Sequence, residues 1–330
     1  MLGNPEAPIA AGSAAALSRM VVDAAQRIHS SVTETPLEPV PDIFPGGSAT
    51  VLFKLENLQQ TGSFKLRGAS NKILALDGRQ SAKGVIAASN GNHGLGVAAT
   101  SRRAGIAAEV YVSSRVSPSK AKRIEDLGAR IQRAGDDSLE AELAARAAAL
   151  REGKVFISPY NDLEVMAGQG TIAVELLRQT GHIDAVFVAV GGGGLIGGIG
   201  AHMKQASPHT QIIGCWPENS RVLYESIQAG RILDFPEQPT LSESTAGGLE
   251  PGSTTLDICR QVIDRSVLVA EEEILAAMRR VRAARGWLIE GAAAVAVAAL
   301  LKKFHDYAGK TVAVVICGGN VSPEILRQLE

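Results

Sequence analysis

The sequence predicts an α/β fold made of open, twisted, parallel sheets. Short runs of aliphatic and β-branched residues recur along the chain, helix-like stretches separate most of them, and glycine-rich loops follow three of them. The runs are apolar at successive positions, which is typical of strands covered by helices on both faces of a parallel sheet. Alternation of strand and helix indicates repeated βαβ units.

Seven strands are expected from these runs. They begin at Thr50, Gly84, Ala108, Lys154, Ala185, Gln211 and Thr311. Residues 138–153 and 271–291 show helical patterns between predicted strands. The first dozen residues are expected to be disordered.

Composition excludes several classes of protein. The 330 residues include 33 Lys and Arg against 34 Asp and Glu, and the net charge of −1 gives no electrostatic reason to bind nucleic acid or an anionic membrane. The apolar run at residues 292–301 is too short to span a bilayer. The first twenty residues have no basic segment leading into an apolar core, and the three cysteines lack metal-ligand spacing. We therefore expect a soluble, cytoplasmic protein without a metal site.

The three glycine-rich loops predict a ligand site. They are residues 90–94 (NGNHG), 191–198 (GGGGLIGG) and 318–320 (GGN). In open α/β sheets, ligands bind beyond the carboxyl ends of the strands, which is where these loops lie. We expect a small, phosphorylated ligand there.

The second loop supports two interpretations besides a tight packing turn. Gly191 to Gly194 can bring backbone N–H groups close to a phosphate at a helix N-terminus, although no Walker A Gly-Lys-Ser/Thr follows. Gly192, Gly194 and Gly197 also form a G-x-G-x-x-G pattern, with Glu218 about twenty residues on, as in dinucleotide-binding folds. An NAD-dependent oxidoreductase therefore stays open.

Lys65 has the surroundings of a reactive amine. It lies between Phe64 and Leu66, and Arg67 follows two residues later. Burial and a neighbouring cation both disfavour a charged amine, so the pKa of Lys65 should fall and free the neutral nucleophile. Such an amine can form a Schiff base with the aldehyde of pyridoxal phosphate. An ordinary surface lysine is the alternative.

The asparagine loop and the last cysteine are less specific when taken alone. Residues 89–94 can hold a carboxylate or phenolate oxygen through Ser and Asn side chains, and His93 is a candidate base. An Asx turn in which Asn92 caps a helix is the alternative. Cys317, by itself, is typical of a small buried hydrophobe.

Five motifs together resemble one family. They are LENLQQTGSFKLRGA, SNGNHG, AGQGTIAVELL, VGGGGLIGGI and CGGN, in that order between residues 55 and 320. The chain resembles the pyridoxal-phosphate enzymes of the tryptophan-synthase-β type (fold type II), in the branch of threonine and serine dehydratases and serine racemase. The resemblance implies two parallel-sheet domains with the cofactor cleft between them. The large domain would be residues 1–83 and 158–330, and the small domain residues 84–157.

The resemblance also implies contacts with pyridoxal 5′-phosphate. Lys65 would hold the cofactor covalently and accept the proton from the substrate α-carbon. Phe64 would flank the cofactor ring, Asn92 would bind its 3′-oxygen, and Glu290 would lie near it. Cys317 would face the pyridine nitrogen. The phosphate would be bound by Gly191, Gly192, Gly193, Gly194 and Leu195.

A thiol at the pyridine nitrogen favours one type of reaction. Many pyridoxal enzymes place an aspartate there, which keeps the ring protonated and strongly electron-withdrawing. Cys317 would be a weak, neutral partner. A carbanion at the α-carbon would then be short-lived, which suits loss of a β-hydroxyl better than transamination.

The residues implied at the substrate include one departure from the family. Ser89, Asn90, Gly91 and His93 would surround the substrate carboxylate. Serine racemases have a serine in place of Asn90, so racemisation is disfavoured here. Relatives that bind a divalent cation have an acidic residue in place of Trp216, so no metal is predicted. For Glu290, an exposed carboxylate at a helix end is the alternative.

The implied activity is β-elimination from a β-hydroxy α-amino acid such as L-threonine or L-serine, giving a 2-oxo acid and ammonia. Four alternatives stay open: a serine- or aspartate-type racemase, a hydroxyaspartate or hydroxyectoine-pathway dehydratase, the NAD-dependent oxidoreductase, and a cofactor-binding protein without enzymatic activity. The resemblance further implies that the protein is a homo-oligomer, either a dimer or a tetramer. It also implies that the protein binds an amino acid as its small-molecule substrate.

Overall fold

Two sheets, of six and four strands, organise the computed structural model, which describes residues 13–329. The expected disorder of the first dozen residues concerns a segment outside that range. The strands are β1 Leu37–Pro39, β2 Thr50–Lys54, β3 Val85–Ala88, β4 Ala108–Val112, β5 Arg130–Arg133, β6 Val155–Phe156, β7 Ala185–Ala189, β8 Gln211–Pro217, β9 Arg265–Val269 and β10 Thr311–Val315.

The strand order confirms the predicted α/β class. The larger sheet has the order β1-β2-β10-β7-β8-β9, and every neighbouring pair is parallel except β1 with β2. The smaller sheet has the order β5-β4-β3-β6 and is parallel throughout. All four strands of the smaller sheet lie between Val85 and Phe156. The division into domains at residues 84 and 157 stays a proposal.

Helices flank both sheets. They are α1 Ala14–Ile28, α2 Lys65–Leu74, α3 Gly78–Lys83, α4 Asn92–Ala104, α5 Pro118–Asp126, α6 Ser138–Glu152, α7 Leu163–Gln179, α8 Gly194–Ala206, α9 Val222–Ala229, α10 Thr255–Val262, α11 Glu271–Arg285, α12 Gly291–Lys303 and α13 Pro323–Gln328, with single 3₁₀ turns at Glu56–Leu58 and Phe304–Tyr307.

The helix expected over residues 271–291 is shorter than predicted. It ends at Arg285 because Gly286 adopts a left-handed conformation with φ +67°, a common helix C-terminal signal. Five residues then lead to α12, with Glu290 at its N-cap. This break places Glu290 at the start of a helix rather than at the end of one.

Three strands escaped prediction, and each lies at a sheet edge. β1 is three residues long and contains Pro39, which an edge strand tolerates. β5 (RIQR) is polar and partly exposed, while the first two residues of β9 are exposed. The prediction relied on strands that are apolar on both faces, so it recovered the interior strands and missed these.

The core of the larger sheet is built around α12. Its first ten residues, Gly291 to Leu300, are all buried, and the helix packs on β7, β8, β9 and β10. Alanine dominates this segment, which lets the helix approach the sheet closely. No helix within residues 13–329 combines the length and apolarity needed to cross a membrane.

Candidate active site

The site forms where β10 and the start of α2 meet. Ser63 pairs with Gly318 in an isolated antiparallel bridge, and the Phe64 N–H donates to the Cys317 carbonyl at 3.0 Å. These bonds fix the residue before α2 against the end of β10. Lys65, the first residue of α2, is thereby held beside Cys317, as the motifs predicted for one shared site.

Lys65 is a buried amine with a lowered pKa. Its Nζ donates to the Pro159 carbonyl at 2.7 Å and lies 5.1 Å from the centre of the Phe64 ring. Burial lowers the pKa of Lys65 to about 8, although the nearby Glu290 carboxyl group acts in the opposite direction. A sizeable neutral fraction therefore exists just above neutral pH, which is the form that attacks an aldehyde.

Arg67 does not lower the pKa of Lys65, as we had expected of a neighbouring cation. Its guanidinium is fully buried and donates to Glu56 at 2.7 Å and to Glu175 at 2.6 Å. Lys54 Nζ also donates to Glu175, at 2.5 Å, so two cations and two carboxylates form one buried network. Arg67 is engaged there and is not a cause of the lowered Lys65 pKa. Its position anchors α2 instead.

The glycine loop connects β7 to α8 and needs its glycines. Gly193 has φ +87°, which side chains rarely adopt. A Cβ on Gly191 would lie 2.7 Å from the Thr245 carbonyl oxygen, and one on Gly192 would lie 2.5 Å from the Tyr160 ring. The loop therefore brings bare backbone to the N-terminus of α8, a favourable place for a phosphate.

One cavity unites most of the predicted cofactor residues. The space among its lining residues, including the part open to solvent, is about 440 Å³. Of the predicted residues, the lining includes Phe64, Lys65, Gly191, Gly192, Gly193, Gly194, Leu195, Glu290 and Cys317. A reactive amine, an anion-binding loop and a neutral thiol in one cavity fit pyridoxal phosphate.

Cys317 and Glu290 provide the polar wall of this cavity. Cys317 is 2% exposed, and burial raises the pKa of its thiol well above the usual value, so the thiol is neutral. Glu290 is 5% exposed, so the alternative of an exposed carboxylate is wrong. Burial raises the pKa of Glu290, and a hydrogen bond from Asn92 opposes this rise. Gly318 leaves room for this carboxylate, because a Cβ there would lie 2.7 Å from it.

Asn92 is the first residue of α4, and its side chain reaches Glu290 on the cavity wall. Its Nδ2 donates to both Glu290 oxygens, at 3.1 and 2.9 Å, and its Oδ1 accepts from Asn320 Nδ2 at 2.7 Å. The Asn92 amide is thus oriented by two residues of the opposite wall. It does not act as the helix cap that we considered, because the N-cap is Gly91.

The other residues of the asparagine loop point elsewhere. Ser89 Oγ accepts from the Gly91 N–H at 3.1 Å. Asn90 Nδ2 donates to Ser113 at 3.1 Å and to Ser138 at 3.2 Å. Its amide is therefore held by residues that follow β4 and begin α6. None of these lines the cavity, and their predicted contact with a substrate carboxylate remains a prediction.

His93 is a neutral, buried side chain. Its Nε2 lies 2.8 Å from the Ile157 carbonyl oxygen, an arrangement in which Nε2 donates. Burial and the nearby Lys65 lower the pKa of His93 to about 3. An imidazole with that pKa carries no charge at neutral pH, so it offers no cation to a substrate carboxylate. His93 does not line the observed cavity, so its predicted contact with the substrate carboxylate remains a prediction.

Sequence reasoning missed three polar residues of the cavity wall. Tyr160 follows the two-residue strand β6, and Ser244 and Thr245 lie in a long segment without helix or strand. Irregular segments give no periodic signal, so only their proximity in space identifies these residues.

Comparison with known proteins decides the family. The family model described as pyridoxal-phosphate dependent enzyme matches residues 28–318. The chain belongs to this family. L-threonine ammonia-lyase of Thermotoga maritima is 39% identical over 279 residues, covering 84% of this chain and 69% of that protein. The recognised family, its cofactor and its enzymatic character are thereby confirmed.

Solved structures agree with this family. The processed form of threonine deaminase isoform 2 from Solanum lycopersicum superposes with a TM-score of 0.90 at 32% identity, covering 95% of this chain and 92% of that one. Maize serine racemase superposes with a TM-score of 0.86 at 29% identity, covering 94% and 95%. Both branches that the motifs suggested are therefore represented among similar folds.

The pyridoxal-phosphate family replaces the dinucleotide interpretation. Glu218 follows β8 and its side chain is 45% exposed, outside the cavity lining. The G-x-G-x-x-G match arises because six of eight residues in the loop are glycine. Three of them, Gly191, Gly192 and Gly194, are required by contacts with Tyr160 and Thr245.

Proposed function

We propose that this enzyme removes water from a β-hydroxy α-amino acid, with L-threonine or L-serine as the leading substrates. The enamine that results hydrolyses to a 2-oxo acid and ammonia, so one water is released and one is consumed. The observation that carries the proposal is the shared cavity of Lys65, the glycine loop and the neutral thiol of Cys317. Relatives named L-threonine ammonia-lyase support the same reaction.

Pyridoxal phosphate, when bound, supplies the electron-withdrawing system that weakens bonds at the substrate α-carbon. The protein's part is to bind and to move protons. Gly191 to Gly194 and the N-terminus of α8 would bind the phosphate. Lys65 would hold the cofactor and accept the α-proton. Asn92, oriented by Glu290 and Asn320, would bind the oxygen on the ring.

The neutral thiol beside Lys65 favours elimination. Cys317 is a neutral thiol in this cavity. A neutral partner at the ring nitrogen stabilises a carbanion less than an aspartate would. Electrons released at the α-carbon would therefore leave with the β-hydroxyl.

Racemisation is the second candidate, because serine racemase and aspartate racemase structures have similar folds. Inversion needs an acid on the face opposite Lys65. Asn90 is the residue matched to that face, and its amide is held by Ser113 and Ser138. An amide is neither acidic nor basic near neutral pH. This favours elimination over racemisation.

A substrate panel tests the proposal. Purified holoenzyme would be given L-threonine, L-serine, 3-hydroxyaspartate and a β-aryl serine, with ammonia and 2-oxo acid measured together. We expect equal amounts of both products from at least one L-amino acid. No ammonia from the whole panel, with D-enantiomer accumulating instead, would replace this proposal with a racemase.

We also propose a cytoplasmic location and a homo-oligomer, either a dimer or a tetramer. The location is supported by three cysteines that are all free and buried, as in proteins of reducing compartments. The assembly rests on the family resemblance. Light scattering of the purified protein would give its mass directly.

A further inference from the structure

A long irregular segment closes one side of the cavity. Residues 231–254, which we call the strap, connect α9 to α10 and contain no helix or strand. Segments of this length without regular structure are uncommon in compact domains and are usually lids or binding loops. Two residues of the strap, Ser244 and Thr245, line the cavity. Thr245 also packs on the glycine loop, because a Cβ on Gly191 would meet its carbonyl oxygen at 2.7 Å.

The end of the strap is held by the turn that follows β6. Tyr160 Oη accepts a hydrogen bond from the Glu250 N–H at 2.9 Å. Asn161 Oδ1 accepts from the Thr254 N–H at 3.0 Å and from its hydroxyl at 2.9 Å. The Glu250 carboxylate pairs with Arg146 on α6 at 2.7 Å. Four polar bonds therefore fix the last five residues of the strap.

The same turn also contacts Lys65. The Pro159 carbonyl accepts from Lys65 Nζ at 2.7 Å, one residue before Tyr160. Ser158 Oγ accepts from the Asn161 N–H at 3.1 Å and stabilises the turn. Tyr160 itself places its ring against Gly192 and its Cα, Cβ and carbonyl oxygen against Gly194 of the glycine loop. One short turn thus contacts the amine, the anion-binding loop and the strap.

We propose that Tyr160 is a positioning residue whose hydroxyl fixes the strap across the cavity, so that Ser244 and Thr245 stay in the cavity lining. The ring of Tyr160 is a packing element, and the hydroxyl is the part that restrains the strap. Burial raises the pKa of Tyr160 to about 12, so the phenol stays protonated and neutral near pH 7. The proposal depends on the proposed function only for its kinetic consequence.

Tyr160→Phe separates the two parts of the side chain. It keeps the ring against Gly192 and removes only the acceptor of the Glu250 N–H. A hydrogen bond contributes roughly 0.5–1.5 kcal/mol, so amide exchange around Glu250 should accelerate about two- to tenfold. Tyr307→Phe is the matched control, because Tyr307 is also buried but lies outside the cavity.

Hydrogen exchange read by mass spectrometry on peptides of residues 240–254 tests the proposal without substrate. We expect faster exchange in these peptides in Tyr160→Phe and Asn161→Ala, and exchange at the wild-type rate in Tyr307→Phe. Tyr160→Phe and Asn161→Ala should also lose pyridoxal phosphate faster on dialysis. In a kinetic assay, KM should rise more than kcat falls. Unchanged exchange in Tyr160→Phe would overturn the proposal. Faster exchange throughout the protein would also overturn it, because Tyr160 would then be a general stabilising residue. A failed substrate panel would leave the exchange result untouched.

Discussion

The chemistry of the site rests on a few buried side chains whose ordinary ionisation is altered. Lys65 has its pKa lowered to about 8, Cys317 has its pKa raised well above its usual value, and His93 has its pKa lowered to about 3. Burial is the largest cause in all three. The Cys317 thiol and the His93 imidazole are therefore uncharged at neutral pH.

The lowered pKa of Lys65 predicts how the cofactor-free protein captures pyridoxal phosphate. Only the neutral amine attacks the aldehyde. The rate of covalent capture should rise with pH below about 8 and level off above that value. Stopped-flow absorbance across pH 6 to 10 measures this rate. The range reaches pH 10 because an unperturbed lysine has a pKa of about 10.4. A rate that keeps rising to pH 10 would mean that Lys65 is an ordinary lysine.

Cys317 tests the account of the ring nitrogen. Cys317→Ser should change the elimination rate by less than about fivefold, roughly 1 kcal/mol, because both residues offer a neutral contact of similar size. Cys317→Asp should protonate the ring and stabilise the carbanion, so transamination should appear as a side reaction. Mass spectrometry would detect pyridoxamine phosphate. Full elimination by the Asp variant without that product would refute the account.

Substitution of Asn90 tests whether the face opposite Lys65 lacks an acid. Wild-type enzyme should release ammonia with little D-amino acid formed, and Asn90→Ser should raise the share of racemisation by supplying a hydroxyl. The substitution also removes hydrogen bonds to Ser113 and Ser138. Ser138→Ala is therefore the control, since it loosens the same loop without adding a hydroxyl at 90. Chiral chromatography of residual substrate gives the ratio. Equal racemisation in the control would assign the effect to loop mobility.

At the scale of elements, the loops after β7 and β10 and the start of α2 build the site together. The sheet brings β7 and β10 side by side as parallel neighbours, so their carboxyl ends meet at one edge. The antiparallel bridge of Ser63 with Gly318 then holds α2 against that edge. Position in the sheet therefore explains why motifs far apart in sequence share one cavity.

Gly192 predicts how strictly the glycine loop is constrained. A Cβ there would lie 2.5 Å from the Tyr160 ring, so Gly192→Ala must displace the ring or the loop. Overpacking of this kind costs roughly 1–3 kcal/mol. We expect affinity for pyridoxal phosphate to fall at least about fivefold, which corresponds to about 1 kcal/mol. Titration of the apoprotein followed by fluorescence gives the Kd.

Gly181→Ala is the matched control for this loop. Gly181 has open space where a Cβ would point and no positive φ. Its affinity for the cofactor should equal that of the wild type. If Gly192→Ala also binds the cofactor with wild-type affinity, the close approach of Tyr160 to the loop has no role in binding.

Periodicity and motif order made some parts of the structure predictable. The interior strands and the position of the glycine loop follow from local patterns and from the rule that ligands bind at strand carboxyl ends. The places of Lys65 and Cys317 in the cavity lining follow from the family resemblance. Edge strands such as β5 are polar and carry no such pattern. Arg67 could not be placed either, because its partners Glu56 and Glu175 lie 11 and 108 residues away.

On the scale of the whole molecule, side-chain contacts join residues beside the smaller sheet to the wall of the cavity. Asn92 on α4, beside the smaller sheet, contacts Glu290 on the opposite wall. Further out, Lys120 pairs with Glu243 at 3.3 Å and Arg123 donates to Asn320 at 2.8 Å. These bonds join surfaces that no local sequence pattern relates. The strap and Tyr160 also meet through contacts between residues far apart in sequence, and sequence reasoning missed them for that reason.

The most direct test of the central claim is reductive labelling combined with turnover of Lys65→Ala. Borohydride reduction of the wild-type holoenzyme, followed by peptide mass spectrometry, should find the cofactor on Lys65. Lys65→Ala should keep its fold by circular dichroism, carry no label, and lose ammonia release from threonine or serine by more than about a thousandfold, or roughly 4 kcal/mol. A label on another lysine, or turnover by Lys65→Ala at the wild-type rate, would contradict the account.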